Sequence, residues 1–452
     1  MCDHPVCDHP IRKLLGELVR ILLAVAMVTT VFAACADYSD WVRFRGDGGR
    51  GHTRNAMQPP LGVRWEFALQ SDRDAFAFNN LVVKDDTLYF GSTDGNFYAM
   101  SIDTGYMDWV FRTDAAVNSV PVADDEKVYF GSNDGHLYAI DRETGEEAWS
   151  YRAGRAVQST VAKYDDEIIF GVDGQGVRFL SLDGEPTNSI DNPVWLRVSL
   201  QVDDDLMYIV PGPPENPRTL GVYDVSEHRH TWLLPDEVMS ATWYSFPAIN
   251  RERLFMQTSR MQGGDIVFNT WALGREDGEI EWKREFESDF GDHPPRNVFR
   301  YWRSHTSVLD YQAPALWRDR LISANGDNVV RAFDEATGEI VWESHLSRRT
   351  SSAPMISGDL VFVGVHGDEE ETVSDSGARQ QGRARLVVEE EETPVTEERK
   401  EPRLVALSAR SGRKVWELET NGAILSPPVV AGRYMVFGTD QNYVYVLERV
   451  LG

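Results

Sequence analysis

Cysteine is nearly missing from this chain: Cys2, Cys7 and Cys35 are the only three, and all lie within the first 35 of 452 residues. A product starting at Cys35 would have no pair from which to form a disulfide, so packing alone must hold its fold. A basic surplus is missing too. With 72 acidic and 45 basic residues the formal charge is −27, which argues against a nucleic-acid partner, because phosphate binding needs a clustered cationic surface. The same excess favours solubility and opposes close approach to an anionic bilayer. No long helical pattern follows the first 34 residues. The sequence also has no Gly-x-Ser-x-Gly elbow, His-Glu-x-x-His pair, phosphate-binding Walker loop or Cys-x-x-Cys, so the common hydrolase and metalloprotease templates fail.

What is present begins with a leader. Arg12, Lys13 and Arg20 precede a 14-residue apolar run, Ile21 to Ala34, that ends in Phe32-Ala33-Ala34-Cys35. A basic start, a short apolar core and small residues at the break are the pattern of an export signal over residues 1–34, and the run is too short for a permanent span. Asp3, Asp8 and Glu17 balance the three bases there, so the remaining chain is itself −27. Cys2-Asp3-His4-Pro5 and Cys7-Asp8-His9-Pro10 have metal-ligand chemistry, but both lie ahead of the signal.

A repeat sets the architecture. Leu88 to Ala99 (LYFGSTDGNFYA) returns without a gap as Val128 to Ala139 (VYFGSNDGHLYA), 40 residues on, and a worn copy runs from Ile168 to Gly174. One such unit cannot bury its own apolar face, so tandem copies at this period imply a β-propeller. In the second unit Ser119 to Ala123, Lys127 to Ser132 and His136 to Asp141 read as strands. Asp134-Gly135 reads as a two-residue hairpin turn, and Thr144-Gly145 leads into an outermost strand marked by Trp149. A pattern Ala-x-Asp-x-x-Thr-Gly-x-x-x-Trp recurs at Trp109, Trp149, Trp282, Trp342 and Trp416. Pro193-Val194-Trp195 and Thr231-Trp232 are degenerate versions, and Trp65 completes eight marks. The final unit supplies Ser426 to Val430, Tyr434 to Thr439 and Tyr443 to Leu447. Its fourth strand is expected from Val63 to Phe67, which would close the ring and remove an exposed edge. The expected fold is all-β, an eight-bladed propeller of four-stranded antiparallel blades over residues 62–452, after an approach segment at 35–61. Seven blades is the alternative if the weak unit at 196–232 does not count.

These tryptophan-marked blades resemble the pyrroloquinoline-quinone-like repeat family of β-propellers, and Trp41 to Gly46 (WVRFRG) resembles the segment ahead of the first blade in such proteins. The resemblance implies that Trp65, Trp109, Trp149, Trp282, Trp342 and Trp416 dock blade on blade. Ala33-Ala34-Cys35 resembles the lipobox of bacterial lipoproteins, which makes Cys35 the expected lipidation site, with cleavage without a lipid left open by Phe32. Repeat type, leader and size together are similar to the lipoprotein component of the outer-membrane β-barrel assembly machinery. That likeness implies a periplasmic or outer-membrane lipoprotein, monomeric within a hetero-complex, whose partner is an envelope protein such as the outer-membrane β-barrel insertase. The quinoprotein dehydrogenases of the same repeat family would need a vicinal cysteine pair and calcium ligands. There is no Cys-Cys here. The expectation is therefore a non-enzyme with no cofactor and no metal, against the rivals of a quinoprotein dehydrogenase or a ligand- or glycan-sensing propeller.

In a four-stranded meander the second-to-third turn lies on the same side as the link to the next blade. Pro211 to Arg218, Ser259 to Asp265 and Asp368 to Arg403 fall in such turns, while Gln70 to Asn80 and Phe286 to Pro314 are links, so these insertions should crowd one face. Loops on one side of a rigid scaffold are the usual place for binding. The tract at 368–403 holds 12 acids and six bases and reads as a solvated tether. Asp292 to His305 concentrates Arg, Tyr and Trp, the composition of interface hot spots, and within it Arg296, Arg300, Trp302 and Arg303 are the expected partner contacts. Gly46 to Gly51 fits G-x-G-x-x-G, but with neither a preceding strand nor a following helix the match is empty. The aspartate runs at 85–86, 124–125, 165–166 and 203–205 recur at one turn of successive units and read as turn chemistry.

Overall fold

The computed structural model describes residues 40–42, 45–46, 51–53, 55–69, 81–191, 198–211, 221–239, 243–292, 295, 298, 313–367 and 401–450. They form eight antiparallel sheets arranged as the blades of a propeller. Blade 1 runs Val82–Lys84, Thr87–Gly91, Asn96–Ser101, Met107–Arg112, and blade 2 runs Val122–Ala123, Lys127–Gly131, His136–Asp141, Glu147–Arg152. Blade 3 spans Val161–Tyr164 to Pro186–Asp191. Blade 4 spans Val198–Asp203 to Arg229–Leu233, so the weak unit is a true blade and the seven-bladed alternative falls. Blades 5, 6 and 7 end on Ile280–Glu287, Ile340–His345 and Lys414–Glu419.

The ring closes as the strand count demands. Blade 8 takes three strands from the C-terminal region, Val429–Ala431, Tyr434–Gly438 and Tyr443–Arg449, and its outermost strand is Leu61–Ala68, paired antiparallel with the last of these. Both members would otherwise present free edges. Around this seam Arg64 bridges Asp103 at 2.8 Å and Glu448 at 3.0 Å, tying blade 8 to blade 1.

Each blade alternates in the manner that half-buried sheets require. The second strands are buried almost throughout, as at Thr87–Gly91, whereas outer strands such as Glu147–Arg152 alternate between exposed and intermediate. Neighbouring blades pack aromatic on aromatic: Phe97 and Phe130 stack with centroids 3.9 Å apart. Burying one such ring contributes about 2 kcal/mol.

The outer strands carry the blade-to-blade latch. The indole Nε1 of Trp109 donates to the Arg142 carbonyl of the next blade at 2.9 Å. Trp149 reaches Leu182, Trp282 reaches Glu335, Trp342 reaches Ala409 and Trp65 reaches Ile102, all within 2.8 to 3.0 Å. Trp232 does the same to Arg275 at 3.0 Å. Each indole lies over the turn glycine. At Gly145, with φ +72°, a Cβ would stand 2.6 Å from the Trp109 ring, so the turn needs glycine for both its left-handed backbone and the indole above it. A β-bulge aims the tryptophan, and in most blades its cross-strand partner is alanine: Trp109 faces Ala99 and Trp342 faces Ala332. Trp416 faces Ala406 and packs part-buried against the core cluster that also contains Tyr434 and Met435.

Blade 3 departs from the expected marks. The docking position there is Asn188, opposite Phe179 rather than alanine, and its amide reaches His228 of blade 4 at 2.7 Å. Trp195, which sequence marked for this unit, lies outside the described residues. Phenylalanine fills the space that alanine leaves free elsewhere, so a second large ring would be overpacked.

Turns differ from expectation in one respect. The Asn133-Asp134-Gly135 hairpin has three loop residues, with only Gly135 left-handed at φ +91° and the Gly135 amide bonded to the Ser132 carbonyl at 3.2 Å. Asp134 instead uses its carboxylate, accepting from the His136 amide at 3.0 Å and the Tyr138 hydroxyl at 2.9 Å. That pair of bonds favours the type I turn plus bulge over a two-residue turn.

Candidate binding face and channel

The two faces of the disc are built differently. On one, each link lies against second-to-third turns: the Thr113 hydroxyl donates to Gly95 at 3.0 Å, Val117 N to Ser92 at 2.9 Å, and Asn133 N to Ala116 at 2.9 Å. On the other, first-to-second turns alternate with short Thr-Gly turns. The aspartate runs sit in those tight turns, where Asp85, Asp86, Asp165 and Asp204 hold φ between +45° and +60°, a conformation aspartate tolerates better than most residues. They also serve as staples. Arg142 donates to the carbonyls of Asp124 at 2.9 Å and Asp125 at 3.1 Å and to the Asp85 carboxylate at 2.9 Å, joining blades 1 and 2. Arg275 repeats the device between blades 4 and 5, with Asp203 and Asp204.

The plain face is also plugged at its centre. The described residues of the segment expected as a mere approach meet inner strands of blades 1, 2, 6 and 7. Trp41 bridges Val83 of blade 1, and the Val42 carbonyl accepts from Ala123 of blade 2 at 3.1 Å. Arg45 Nη2 then donates at 2.6 Å to Pro314, at the start of blade 6. His52–Thr53 adds a parallel strand inside Met355–Ser357 of blade 7, and the Met57 amide donates to the Ser357 hydroxyl at 2.8 Å. Blades 2 and 6 stand opposite one another in a ring of eight, so the step from Val42 to Arg45 crosses the channel.

Arg45 itself is 1% exposed. Among the described residues its Nε and Nη1 have no hydrogen-bond partner, and burial pulls its pKa down to about 9. The guanidinium therefore stays charged at neutral pH, and a buried charge without a counter-ion costs several kcal/mol.

On the elaborated face the described residues build a rigid base. Blade 5 is lengthened there: Arg253–Gln262 and Asp265–Gly274 are ten residues each, joined by Gly263-Gly264. The expected loop insertion at Ser259 to Asp265 is thus mostly strand, because Met261, Ile266 and Phe268 bury apolar surface together with Phe286 and Phe290. The root of the long link is held by blade 6. Asp327, fully buried, accepts from Asp289 N at 3.2 Å and from Arg331 Nη1 at 2.9 Å, and the Asn328 side chain donates to Phe290 at 2.7 Å. Arg331 also lies 4.3 Å over the Phe286 ring. A short helix, Asp236–Met239, stands in the neighbouring link, pinned by Lys283 to Glu237 at 3.2 Å.

The expected contacts Arg296, Arg300, Trp302 and Arg303 lie outside the described residues, as do Cys35, Gln70 to Asn80, Gly212 to Arg218 and Asp368 to Lys400. The extended hairpin and the plug were missed by sequence reading. Alternating Met261, Ile266 and Phe268 are the signal for the first, while nothing local marks Arg45 as buried. Among the described residues no group of three or more His, Cys, Asp or Glu side chains could hold a metal, and no helix is long and apolar enough to cross a membrane.

Fold and repeat chemistry together define an eight-bladed propeller of the quinone-like repeat type. The chain belongs to the family described as outer membrane protein assembly factor BamB, whose model matches residues 60–192, 271–381 and 365–452. It is similar to the BamB of Kangiella koreensis, with 38% identity over 53 residues, 12% of this chain and 14% of that protein. It is also similar to the BamB of Alteromonas naphthalenivorans, with 31% identity over 93 residues, 20% of this chain and 22% of that protein. The chain thus spans under a quarter of the length of these two relatives. Among solved structures, BamB from Moraxella catarrhalis superimposes with a TM-score of 0.56 at 14% identity, covering 86% of this chain and 99% of that one. The quinohemoprotein alcohol dehydrogenase of Comamonas testosteroni superimposes with a TM-score of 0.62 at 13% identity, covering 93% and 82%. At such identities these likenesses speak to the fold alone.

Proposed function

We propose that the chain is a non-catalytic scaffold of the cell envelope that holds a protein partner on its elaborated face in the assembly of outer-membrane proteins. The asymmetry of the disc carries the reading. One face is stapled by Arg142 and Arg275 and plugged by Trp41, Val42, Arg45 and His52–Thr53, while the other carries the lengthened blade 5 hairpin and the root of the long link. Rigid support beneath extended loops is the arrangement that interfaces use. Membership of the assembly-factor family supports a partner in outer-membrane protein assembly, and in this reading that partner is an outer-membrane β-barrel insertase.

In this reading Cys35 bears a lipid anchor, the mature protein faces the periplasm, and Arg296, Arg300, Trp302 and Arg303 contact the partner. The test is affinity purification from envelope extracts, comparing the native protein with alanine blocks at Asp292–His305 and at the hairpin tip, residues 261–266. Recovery of a sixteen-stranded insertase by the native chain, and its loss from the blocks with the circular dichroism of the ring retained, is expected. Capture unchanged by both blocks refutes the assignment of the face.

A further inference from the structure

The plain face is not uniform in charge. Each third-to-fourth turn there places one residue directly after its left-handed position, and that residue is the exposed Glu146 in blade 2, Glu185 in blade 3, Glu279 in blade 5 and Glu339 in blade 6. Blade 4 has Arg229, already paired with Glu227 at 2.7 Å. Blade 7 reverses the sign: Arg413 holds the position, with Arg410 before it and Lys414 after it, all three exposed. Lys414 pairs with Glu417 at 2.9 Å, while among the described residues no carboxylate pairs with Arg410 or Arg413. The positive charge continues into blade 8, where Arg433 is exposed in the first-to-second turn and Arg449 at the end of the third strand. The acids of that seam are engaged, Asp103 by Arg64 and Arg433 and Glu448 by Arg64, at 2.8 to 3.0 Å. Apolar side chains stand among these cations. Val415 of blade 7, Val63 and Val450 of blade 8 and Met107 of blade 1 are 42 to 49% exposed, and Tyr106, at the place of the turn glutamates, is 76% exposed.

We propose that the plain-face rim of blades 7, 8 and 1 rests on an anionic phospholipid surface, with Arg410, Arg413 and Arg449 on the phosphates and Tyr106, Met107 and Val415 at headgroup level. Basic and apolar side chains interleaved on one exposed surface are the composition of an interfacial contact. The course of the chain favours lipid over an acidic protein, because the chain enters the disc on this side. Asp40 is gripped by Lys84 and the Asp85 amide of blade 1, the neighbour of blade 8, and the apolar run before it ends at Ala34. Placing the bilayer here rests on the reading of Cys35 as the anchor. The net −27 opposes approach of the face as a whole, yet the acidic turn of blade 3 stands across the ring from blade 7. Sheets pack about 10 Å apart, so acids four blades away lie beyond the screening length of about 8 Å. One rim, and not the whole face, meets the lipid.

The test uses the chain from position 35 onward with Cys35→Ser, which keeps every described residue and carries no lipid. It is mixed at low salt with vesicles of phosphatidylethanolamine and phosphatidylglycerol or, in a second arm, of phosphatidylcholine. Co-sedimentation is read for this parent, for R410Q/R413Q, for Y106S/M107S, and for R152Q/R155Q, which changes the net charge equally but on the elaborated face. The expected result is retention of the parent by the anionic vesicles, lost as salt is raised. Each cation at such a surface raises binding about fivefold, so R410Q/R413Q should bind at least about tenfold more weakly. Y106S/M107S should bind about threefold or more weakly, and R152Q/R155Q within about twofold of the parent. Unchanged melting midpoints establish that the variants are folded. Absence of retention, equal retention by phosphatidylcholine, or an equal loss in R152Q/R155Q overturns the proposal, and the first of these leaves the cations to an acidic protein. Neither anchor nor protein partner is present in this assay, so its failure is separate from failure of the scaffold reading, which partner capture decides.

Discussion

Replacing Trp342 probes the latch that holds the ring together. Its indole is 9% exposed, donates to the Ala409 carbonyl at 3.0 Å, and covers Gly412, where a Cβ would stand 2.5 Å from the ring. Truncation to alanine removes a buried aromatic, about 3–5 kcal/mol, with part of that loss being the Ala409 carbonyl left without its donor. Trp342→Phe keeps most of the apolar contact and loses the N–H, for about 1–2 kcal/mol. Gly412→Ala strikes the same latch from the opposite side, combining left-handed strain at φ +69° with a clash against the indole, and should cost about 2 kcal/mol or more. Equilibrium urea unfolding followed by tryptophan-independent far-ultraviolet circular dichroism measures all three. With a slope of about 3 kcal/mol/M, the alanine variant should lower the midpoint by roughly 1 M or more. Trp342→Ala within about 1 kcal/mol of wild type, or Trp342→Phe as damaging as Trp342→Ala, would refute the docking argument.

At the seam between blades 3 and 4 the latch is only an amide, so Asn188→Ala should cost less than about 1.5 kcal/mol where Trp149→Ala costs about 3, as compared by the same urea midpoints. At the closure between blades 8 and 1 the Tyr434 hydroxyl, with Arg64 and Arg433, holds the Asp103 carboxyl below its ordinary value. The folded pKa is depressed, so its contribution is present above the ordinary carboxylate range and lost as pH falls through the folded value. Asp103→Asn should therefore lower the melting midpoint at pH 7, with the difference from wild type shrinking as pH falls below the ordinary carboxylate range; a difference that stays constant as pH falls contradicts the assignment. Cys35→Ser should abolish metabolic labelling by palmitate, and persistent label refutes anchoring at this residue. Finally, a scaffold should show neither quinone absorbance nor calcium-dependent dye reduction after incubation with the quinone, and turnover with an alcohol would restore the dehydrogenase reading.

The repeat made the ring legible because it is written in residues that act locally. Turn glycines, strand alternation and the indole marks all report on contacts within one or two neighbouring strands, and closure by Leu61–Ala68 followed from counting strands. The docking position of blade 3 was not legible because the latch depends on register and on the residue opposite. Phe179 pairs with Asn188 where the other blades pair a small or β-branched residue with an indole, and no motif announces that. Ser259 to Asp265 looked like a loop from its polar residues and two glycines, yet strand pairing through Gln262 and Asp265 continues because Ile266 and Phe268 have a covering partner in Phe290. The plug was invisible for a different reason. Trp41, Val42, Arg45, His52 and Thr53 are held by blades 1, 2, 6 and 7, elements far away in the chain, and no local pattern in a short stretch of mixed composition encodes such contacts.

The grip on Asp40 has a consequence for posture. Its carboxylate accepts from Lys84 Nζ and from the Asp85 amide, both at 2.9 Å, on the rim of the plugged side. Asp40 lies only five positions after Cys35, a leash of at most about 18 Å when fully stretched. An acyl chain at that cysteine would hold the disc almost flush with the bilayer, stapled side down, like a plate on a short stem. The hairpin of blade 5 and the root of the long link would then look away from the lipid, toward whatever approaches through the aqueous space.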